Sequence, residues 1–477
     1  MPATVDGRPR PTARVHRALR QVGVATLVRI GIVAGTAVAA VLAVHLFGRE
    51  YVFFDLNIYH GAVVWWTAGG DLYQFVSPGT TLGFTYPPFA GLVMLPMAAL
   101  TPTLAGWVNL TAGLVVLTFL LAALLNPIAD RHGWPRWFVT GVAVPLAAAT
   151  EPVRETLGYG QVNLLLAGLV IADLVMLRHR ANVAMARATG RTSVVDEEPT
   201  GFRAWLRTAW LSGAFAGAGV GLATAIKLTP ALFILYFLVT RQWRVALTAG
   251  LTAVGVTAGT FLVAGHESVE YFGSVLWDTG RIGAVDATAN QSLAGLLARL
   301  YDSPVTPGLM WLAFALLLLA VGLSRAASAH AEGDELTAFT LVALTANAIC
   351  PISWTHHLVF LVPALVVLFD AALRRRFARR GLNVGPMQAF AGVRQGLFAL
   401  GVYVLLVVSP IWMYEHKLQN GVSHYADGLH GALGENSLAL IVITLVVLLP
   451  WRPGADPAFY AEPRRVRRQA VVIPAPR

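Results

Sequence analysis

Long apolar runs broken by short polar stretches recur from one end of this 477-residue chain to the other. A helix of about 20 apolar residues spans the roughly 30 Å hydrocarbon core of a bilayer. The pattern predicts twelve crossings, over 22–47, 84–100, 104–126, 161–177, 208–226, 228–240, 245–264, 307–324, 336–350, 358–373, 396–413 and 437–451. The apolar segment 136–150 is read as re-entrant or tilted, because a full crossing there would turn one basic loop outward. The first run follows Arg8, Arg10, Arg14, Arg17 and Arg20. It is too long for the ~7–15-residue apolar region of a cleaved leader, so it is expected to stay as a helix. The fold class predicted is an all-α polytopic membrane protein.

Composition agrees. Only 13% of residues are charged and 56% are hydrophobic, with a mean hydropathy of +0.63. Soluble proteins carry about 25% charged residues. A soluble globule, a fibrous protein and a disordered chain are excluded. The net charge of +10 would suggest nucleic acid in a soluble protein. Here the arginines cluster at the termini and in the short breaks, the usual membrane distribution, so no nucleic-acid partner is expected. The basic tails suit anionic headgroups instead. The single cysteine, Cys350, excludes an intrachain disulfide and a cysteine-based metal site.

The positive-inside rule assigns both termini to the cytoplasm. The domain reading is a basic tail over 1–21, a transmembrane domain over 22–451 with a flexible loop at 178–207 that carries Asp196-Glu197-Glu198, and a basic tail over 452–477. Polar residues of unusual type then fall on the outer side. They lie in 48–83, 151–160, at Lys227, in 266–306, in Ser353–His357 and in 414–436. Asp173, the main ionisable residue inside a span, belongs near its cytoplasmic end. No internal repeat is visible, which disfavours a transporter built from inverted halves.

Asp55 lies just beyond the first span among Phe53, Phe54 and Tyr59. Desolvation there would raise its pKa and make it a better base; the alternative is an N-cap for a helix over Leu56–Ala68. Tyr86-Pro87-Pro88 reads as a helix start. In Glu151–Asn163, Arg154 could pair a phosphate or a neighbouring glutamate, while Gln161 and Asn163 could bond sugar hydroxyls. Lys227 interrupts two apolar runs, either to meet a lipid phosphate or to snorkel. Asn290 and Gln291 are amides of the kind carbohydrate sites use, and of the kind ordinary loops use. Asp278 and Arg281 read as a structural pair. His356 and His357 point about 100° apart on a helix, so they cannot both grip one ion, and no further ligands complete a zinc site. One is expected to face a cavity, contacting phosphate or hydroxyl, and the other to pack. Trp354 could stack on a sugar.

In order, FFDLNIYHGAVVWWTAGGDLYQF, FTYPPFAGLVMLP, GYGQVNLLL, AIKLTPALF, NQSL and SWTHHLV resemble glycosyltransferase family 87, the actinobacterial mannosyltransferases that use polyprenyl-phosphate-mannose. The resemblance covers about residues 23–450 and leaves out both tails and the 178–207 loop. It implies a GT-C type helical bundle of about 12 transmembrane helices with an outward-facing cavity and an acidic residue in the first outer loop, a position that Asp55 matches. It also implies transfer of mannose in α-(1→2) linkage to a phosphatidylinositol mannoside or to lipomannan at the plasma membrane.

A β-linked donor and an α-linked product require inversion by one base, without a covalent intermediate. Asp55 is that base. Lys227 first, then Arg154, His356 and His357, are candidates for the donor phosphate. Tyr59, Tyr86, Gln161, Asn163, Asn290, Gln291 and Trp354 are candidates for sugar and acceptor contacts. Cationic side chains suffice for a phosphate leaving group, so no metal or other cofactor is expected. A polyprenyl-phosphate-arabinose donor and a lipid or sugar transporter are the competing readings.

Overall fold

The computed structural model describes residues 11–191, 193, 195, 200–378, 386–411 and 428–456. The helices are α1 (Pro11–Phe47), α2 (Phe54–Thr67), α3 (Pro88–Met94), α4 (Pro102–His132), α5 (Arg136–Ala148), α6 (Glu151–Tyr159), α7 (Asn163–Ala188), α8 (Phe202–Ser212), α9 (Ala218–Ile226), α10 (Leu232–Val239), α11 (Trp243–Val263), α12 (Gly265–Gly273), α13 (Leu293–Leu300), α14 (Gly308–Ala331), α15 (Glu335–Ile349), α16 (Leu361–Ala378), α17 (Pro386–Val408), α18 (Gly428–Glu435) and α19 (Ser437–Leu448). Among the described residues no strand forms; Val76–Gly83 and Asn290–Trp354 are isolated bridges.

This is an all-helical membrane protein. Among the described residues, four stretches are long and apolar enough to cross a bilayer: Gly23–Phe47, Pro102–His132, Trp243–Val263 and Gly308–Ala331. The pairs α6–α7, bent by 118°, and α18–α19, bent by 66°, bring the number to six if each is one span. Five shorter apolar helices lie among them, Pro88–Ala99, Arg136–Ala148, Thr229–Val239, Glu335–Ile349 and Gly392–Val408. Apolar runs that the sequence reads as whole crossings are thus divided by breaks, and the breaks are where the polar residues gather.

Local chemistry sets several helix starts. Thr101 accepts Leu104 N at 3.3 Å ahead of Pro102 on α4, and Ser292 accepts Gly295 N at 3.1 Å on α13. Asp173 has a more distant task. From α7 its carboxylate accepts Gly217 N, Gly219 N and Val220 N at 2.9, 3.2 and 2.7 Å. It therefore satisfies the open N-terminus of α9, which accounts for an acid inside an apolar run.

The core centres on α15, buried from Glu335 to Ala348. Phe339 packs against Phe233 and Phe237 of α10 with ring centroids 5.2 and 5.9 Å apart. At one end of the bundle a buried ionic cluster joins four segments. Arg452 meets Asp334 at 2.5 Å and Asp370 at 2.9 Å, and Asp370 also receives Arg131 at 3.0 Å and Arg374 at 2.9 Å. Asp456 pairs with Arg178 at 2.8 Å. The stretch 452–456, assigned from sequence to the basic tail, is packed against the bundle, because an arginine facing two buried aspartates is held in place. Residues 1–10, Asp196-Glu197-Glu198, 412–427 and 457–477, where the tail, loop and outer-loop expectations partly fall, lie outside the described residues.

Removing one partner of a buried ion pair destabilises by about 3–5 kcal/mol. Arg452→Met is therefore expected to lower the thermal unfolding midpoint in detergent substantially. An unchanged midpoint would mean the cluster does not hold these segments together.

Candidate active site

The site begins with a turn that only tight packing can hold. Val52 and Phe53 adopt positive φ of 42° and 54°, uncommon for non-glycine residues and an outlier for a β-branched one. Phe53 N donates to Gly158 O at 3.0 Å, and Asn57 Nδ2 donates to Val52 O at 3.0 Å. The approach works because Gly158 and Gly160 lack side chains. A Cβ on Gly158 would lie 2.4 Å from the Tyr51 ring, and one on Gly160 would lie 2.5 Å from Leu56 Cβ. The Gly-Tyr-Gly break between α6 and α7 is thus the seat for the start of α2.

Phe53, not Asp55, is the N-cap residue of α2, and Asp55 lies in its first turn. The capping alternative for Asp55 is therefore not what forms. Its carboxylate accepts Gln161 Nε2 at 2.6 Å. The same amide nitrogen donates to the Tyr59 hydroxyl at 3.2 Å, while Gln161 Oε1 accepts the Tyr86 hydroxyl at 2.8 Å. These partners fix the amide's orientation. The Asp55 side chain is 17% exposed. Burial pushes its pKa up to about 6, against the Gln161 hydrogen bond and the Lys227 charge, which pull it down.

Lys227 follows the last residue of α9 in extended conformation. Its ammonium donates to Asn163 Oδ1 at 3.2 Å and lies 5.4 Å from the Tyr86 ring centroid. Among the described residues no carboxylate pairs with it. Desolvation lowers its pKa to about 8. A half-buried cation with only an amide and an aromatic face as partners is suited to receive an anion.

The Thr355–His357 turn closes the site. Asn163 Nδ2 and the Thr156 hydroxyl both donate to His356 O at 2.9 Å. His356 Nε2 is buried, has no hydrogen-bond partner among the described residues and stands 4.0 Å from Asp55 Oδ2. The two imidazole planes are 87° apart, so they diverge as adjacent positions must. His357 Nδ1 accepts Trp354 N at 3.2 Å. Desolvation first, then the Lys227 charge, holds both rings well below the usual histidine range, which keeps them neutral. His357, Lys227, Asn163, Asn347 and Ser353 line a small pocket together with the apolar Val170, Phe233, Ala343 and Phe360.

The structure does not gather every expected residue here. Arg154 is buried and donates to the carbonyls of Ala149, Val407 and Phe47 at 3.1, 2.6 and 3.0 Å. Its guanidinium ties the ends of α1 and α17 to α6 and is committed to backbone. The salt bridge to Glu155 comes instead from Arg49, at 3.2 Å. Asn290 donates to Val285 O and Pro351 O and accepts Ser353 N, at 2.7, 3.1 and 2.8 Å. Gln291 donates to Thr288 O and Glu435 O and accepts Ala439 N, at 2.6, 2.8 and 2.8 Å. These amides brace the backbone beneath the histidine turn, and both side chains are buried. Trp354 is half-buried, with its ring over Gly283. The Asp278–Arg281 pair gives way to Arg281 donating to Tyr73 O and Asp278 accepting Gly280 N. Arg49 was not singled out in the sequence, where an arginine ending an apolar run looks like any interfacial anchor.

The model of glycosyltransferase family 87 matches residues 84–353. The chain belongs to glycosyltransferase family 87. It is 32% identical over 353 residues to a polyprenol-phosphate-mannose-dependent alpha-(1-2)-phosphatidylinositol mannoside mannosyltransferase of Mycolicibacterium smegmatis, covering 69% of this chain and 73% of that protein. A Mycobacterium tuberculosis protein of the same name is 31% identical over 368 residues, covering 72% and 76%. A polyprenol-phosphate-mannose-dependent alpha-(1-2)-phosphatidylinositol pentamannoside mannosyltransferase of M. smegmatis is 29% identical, covering 76% of each. Among solved structures, ArnT from Cupriavidus metallidurans bound to undecaprenyl phosphate aligns with 94% of this chain and 81% of its own at 15% identity. Its TM-score is 0.35. The family 87 match includes Tyr86, Gln161, Asn163 and Lys227, whereas Asp55, His356 and His357 lie outside it.

An essential Asp55 must be ionised, so activity should be lost as pH falls through about 6; an essential Lys227 must be protonated, so activity should be lost as pH rises through about 8. Gln161→Leu removes the hydrogen bond that favours the Asp55 anion, so the acid limb should move to higher pH. A pH profile of kcat/KM with its acid limb near the ordinary carboxylate value of about 4, or a limb unmoved in the variant, would contradict this.

Proposed function

We propose that this family 87 protein is an inverting mannosyltransferase. It takes mannose from polyprenyl-phosphate-mannose and joins it in α-(1→2) linkage to a phosphatidylinositol mannoside. The observation that carries the reading is a poorly solvated carboxylate, Asp55, beside a half-buried lysine that pairs with no carboxylate among the described residues. Asp55 supplies a base with a pKa near neutrality, and Lys227 supplies charge for an anionic leaving group. The names of the relatives support both the donor and the acceptor class.

In this reading the acceptor hydroxyl gives its proton to an Asp55 oxygen as its own oxygen bonds to the anomeric carbon. The bond from that carbon to the phosphate oxygen breaks on the opposite side, and its electron pair leaves with the phosphate. The Lys227 ammonium meets that charge, and His356 and His357, both neutral, act as hydrogen-bonding groups. Gln161 keeps Asp55 oriented, and Tyr59 and Tyr86 close the apolar wall behind it. A leaving group of low basicity met by a cation needs neither a general acid nor a metal, so the reaction is read as metal-independent. The bundle is read as GT-C, with about 12 crossings when the broken and short helices are counted as spans. The site opens to the outer face of the plasma membrane, with both termini cytoplasmic.

Asp55→Asn is expected to reduce transfer by about 10²–10⁴-fold while leaving the melting temperature near wild type. Lys227→Ala should raise the donor KM more than the acceptor KM. The check is a membrane assay with radiolabelled polyprenyl-phosphate-mannose and purified phosphatidylinositol mannosides. Near-wild-type transfer by Asp55→Asn would remove Asp55 from the mechanism.

A further inference from the structure

A larger cavity lies away from Asp55 and Lys227, and the proposed reaction makes no use of it. It holds about 830 Å³ between α5, α16 and α17. Its wall on α16 runs from Val362 to Arg376, about 21 Å at roughly 1.5 Å per residue. The two ends are fixed by contacts between the walls. At one end a Cβ on Gly392 would lie 3.5 Å from Ala372 O and from Arg376 N. At the other, the Tyr403 hydroxyl of α17 donates to Leu146 O of α5 at 3.2 Å. Phe369, Val393, Leu397 and Leu400 line the groove as exposed apolar side chains. Gly396 also lines it, and nothing lies within 4 Å of where its Cβ would stand.

An apolar cavity of this kind stays dry and takes apolar guests. In a bilayer the guest at hand is a lipid chain, and each leaflet contributes about 15 Å of hydrocarbon. The groove is long enough for one such chain. Its charge then selects the headgroup. Among the described residues that line the cavity, Arg376 alone is charged. It is exposed and has no ion-pair partner among the described residues, whereas Asp370 engages both Arg374 and Arg131. A free guanidinium at the end of an apolar groove suits a lipid phosphate. That phosphate is not the donor's. The histidine turn precedes the start of α16 at Leu361, so Arg376 stands about 22 Å farther along the helix.

We infer that this groove binds an anionic phospholipid of the surrounding bilayer, with one acyl chain along α16 and α17 and the phosphate at Arg376. The lipid belongs to the leaflet at the end of the bundle that holds the Arg452 cluster, since Arg452 and Arg374 both meet Asp370. It is a resident lipid and not a reactant. Its chain fills the space between α5 and α17, which Arg154 joins through Ala149 O and Val407 O, so occupancy stabilises the bundle. The inference depends on the chain being a membrane protein and is independent of the reaction proposed above.

The test uses full-length protein purified in a neutral detergent and titrated with phosphatidylglycerol or phosphatidylcholine. Bound lipid is counted by native mass spectrometry, and the thermal unfolding midpoint is followed in parallel. Phosphatidylglycerol should bind saturably and raise the midpoint, with an apparent affinity about fivefold above that of phosphatidylcholine, as one arginine at a lipid headgroup provides. Arg376→Gln should remove that preference. Gly396→Trp fills the groove and should abolish retention of both lipids. Arg376 is exposed, so Arg376→Gln keeps the test decisive if Gly396→Trp does not fold. Equal retention of the two lipids by the wild type, an unchanged preference in Arg376→Gln, or retention by a folded Gly396→Trp overturns the inference. So does displacement of phosphatidylglycerol by stoichiometric undecaprenyl phosphate, which would make the groove a seat for the donor chain. Mannosyl transfer is not the readout, so each of these failures leaves the proposed function standing.

Discussion

The hydrogen bond between Gln161 and Asp55 is the constraint on which the site depends. It joins residues 106 positions apart in sequence and exists only because two glycines let the start of α2 sit against the break between α6 and α7. The strained Val52–Phe53 turn aims the carboxylate into that break, and the packing around Tyr51 and Leu56 keeps it there. The 118° bend between α6 and α7 brings the buried polar side chains of Gln161 and Asn163 to the site. Asn163 then reaches both Lys227 and the carbonyl of His356, so one broken helix organises the base, the cation and the histidine turn.

Charge placement separates scaffold from chemistry. Arg154, Arg299, Arg452 and Arg131 are all engaged with backbone carbonyls, amides or buried carboxylates. Placing such groups in a poorly hydrated bundle is tolerable because each is hydrogen-bonded or ion-paired. Lys227 departs from that rule. A cation left with a single amide oxygen and a tyrosine face is poorly compensated by its own protein, and a phosphate ligand supplies what is missing.

The sequence made the all-helical character, Asp55, Gln161, Asn163 and Lys227 legible, since each is a polar residue at a break between apolar runs. Asp173 also announced itself as an exception, and capping of α9 explains it. Asn290, Gln291 and Arg154 could not be sorted in advance. An amide that braces a loop and an amide that binds a sugar look alike until the carbonyls around it are located. Arg49 was hidden for the opposite reason, because its partner Glu155 is brought to it only by the turn at Val52–Phe53. The packed stretch at Arg452 likewise depends on Asp334 and Asp370, which are remote in sequence.

The account stands or falls on what is transferred, and by what stereochemistry. The most direct measurement is linkage and anomeric analysis by NMR of the product formed by purified protein from polyprenyl-phosphate-mannose and a phosphatidylinositol mannoside. A single new α-(1→2)-linked mannose, formed without a covalent sugar–enzyme intermediate, is the expected result. A β-linked product, a trapped sugar on Asp55, or transfer of arabinose but not mannose would contradict it.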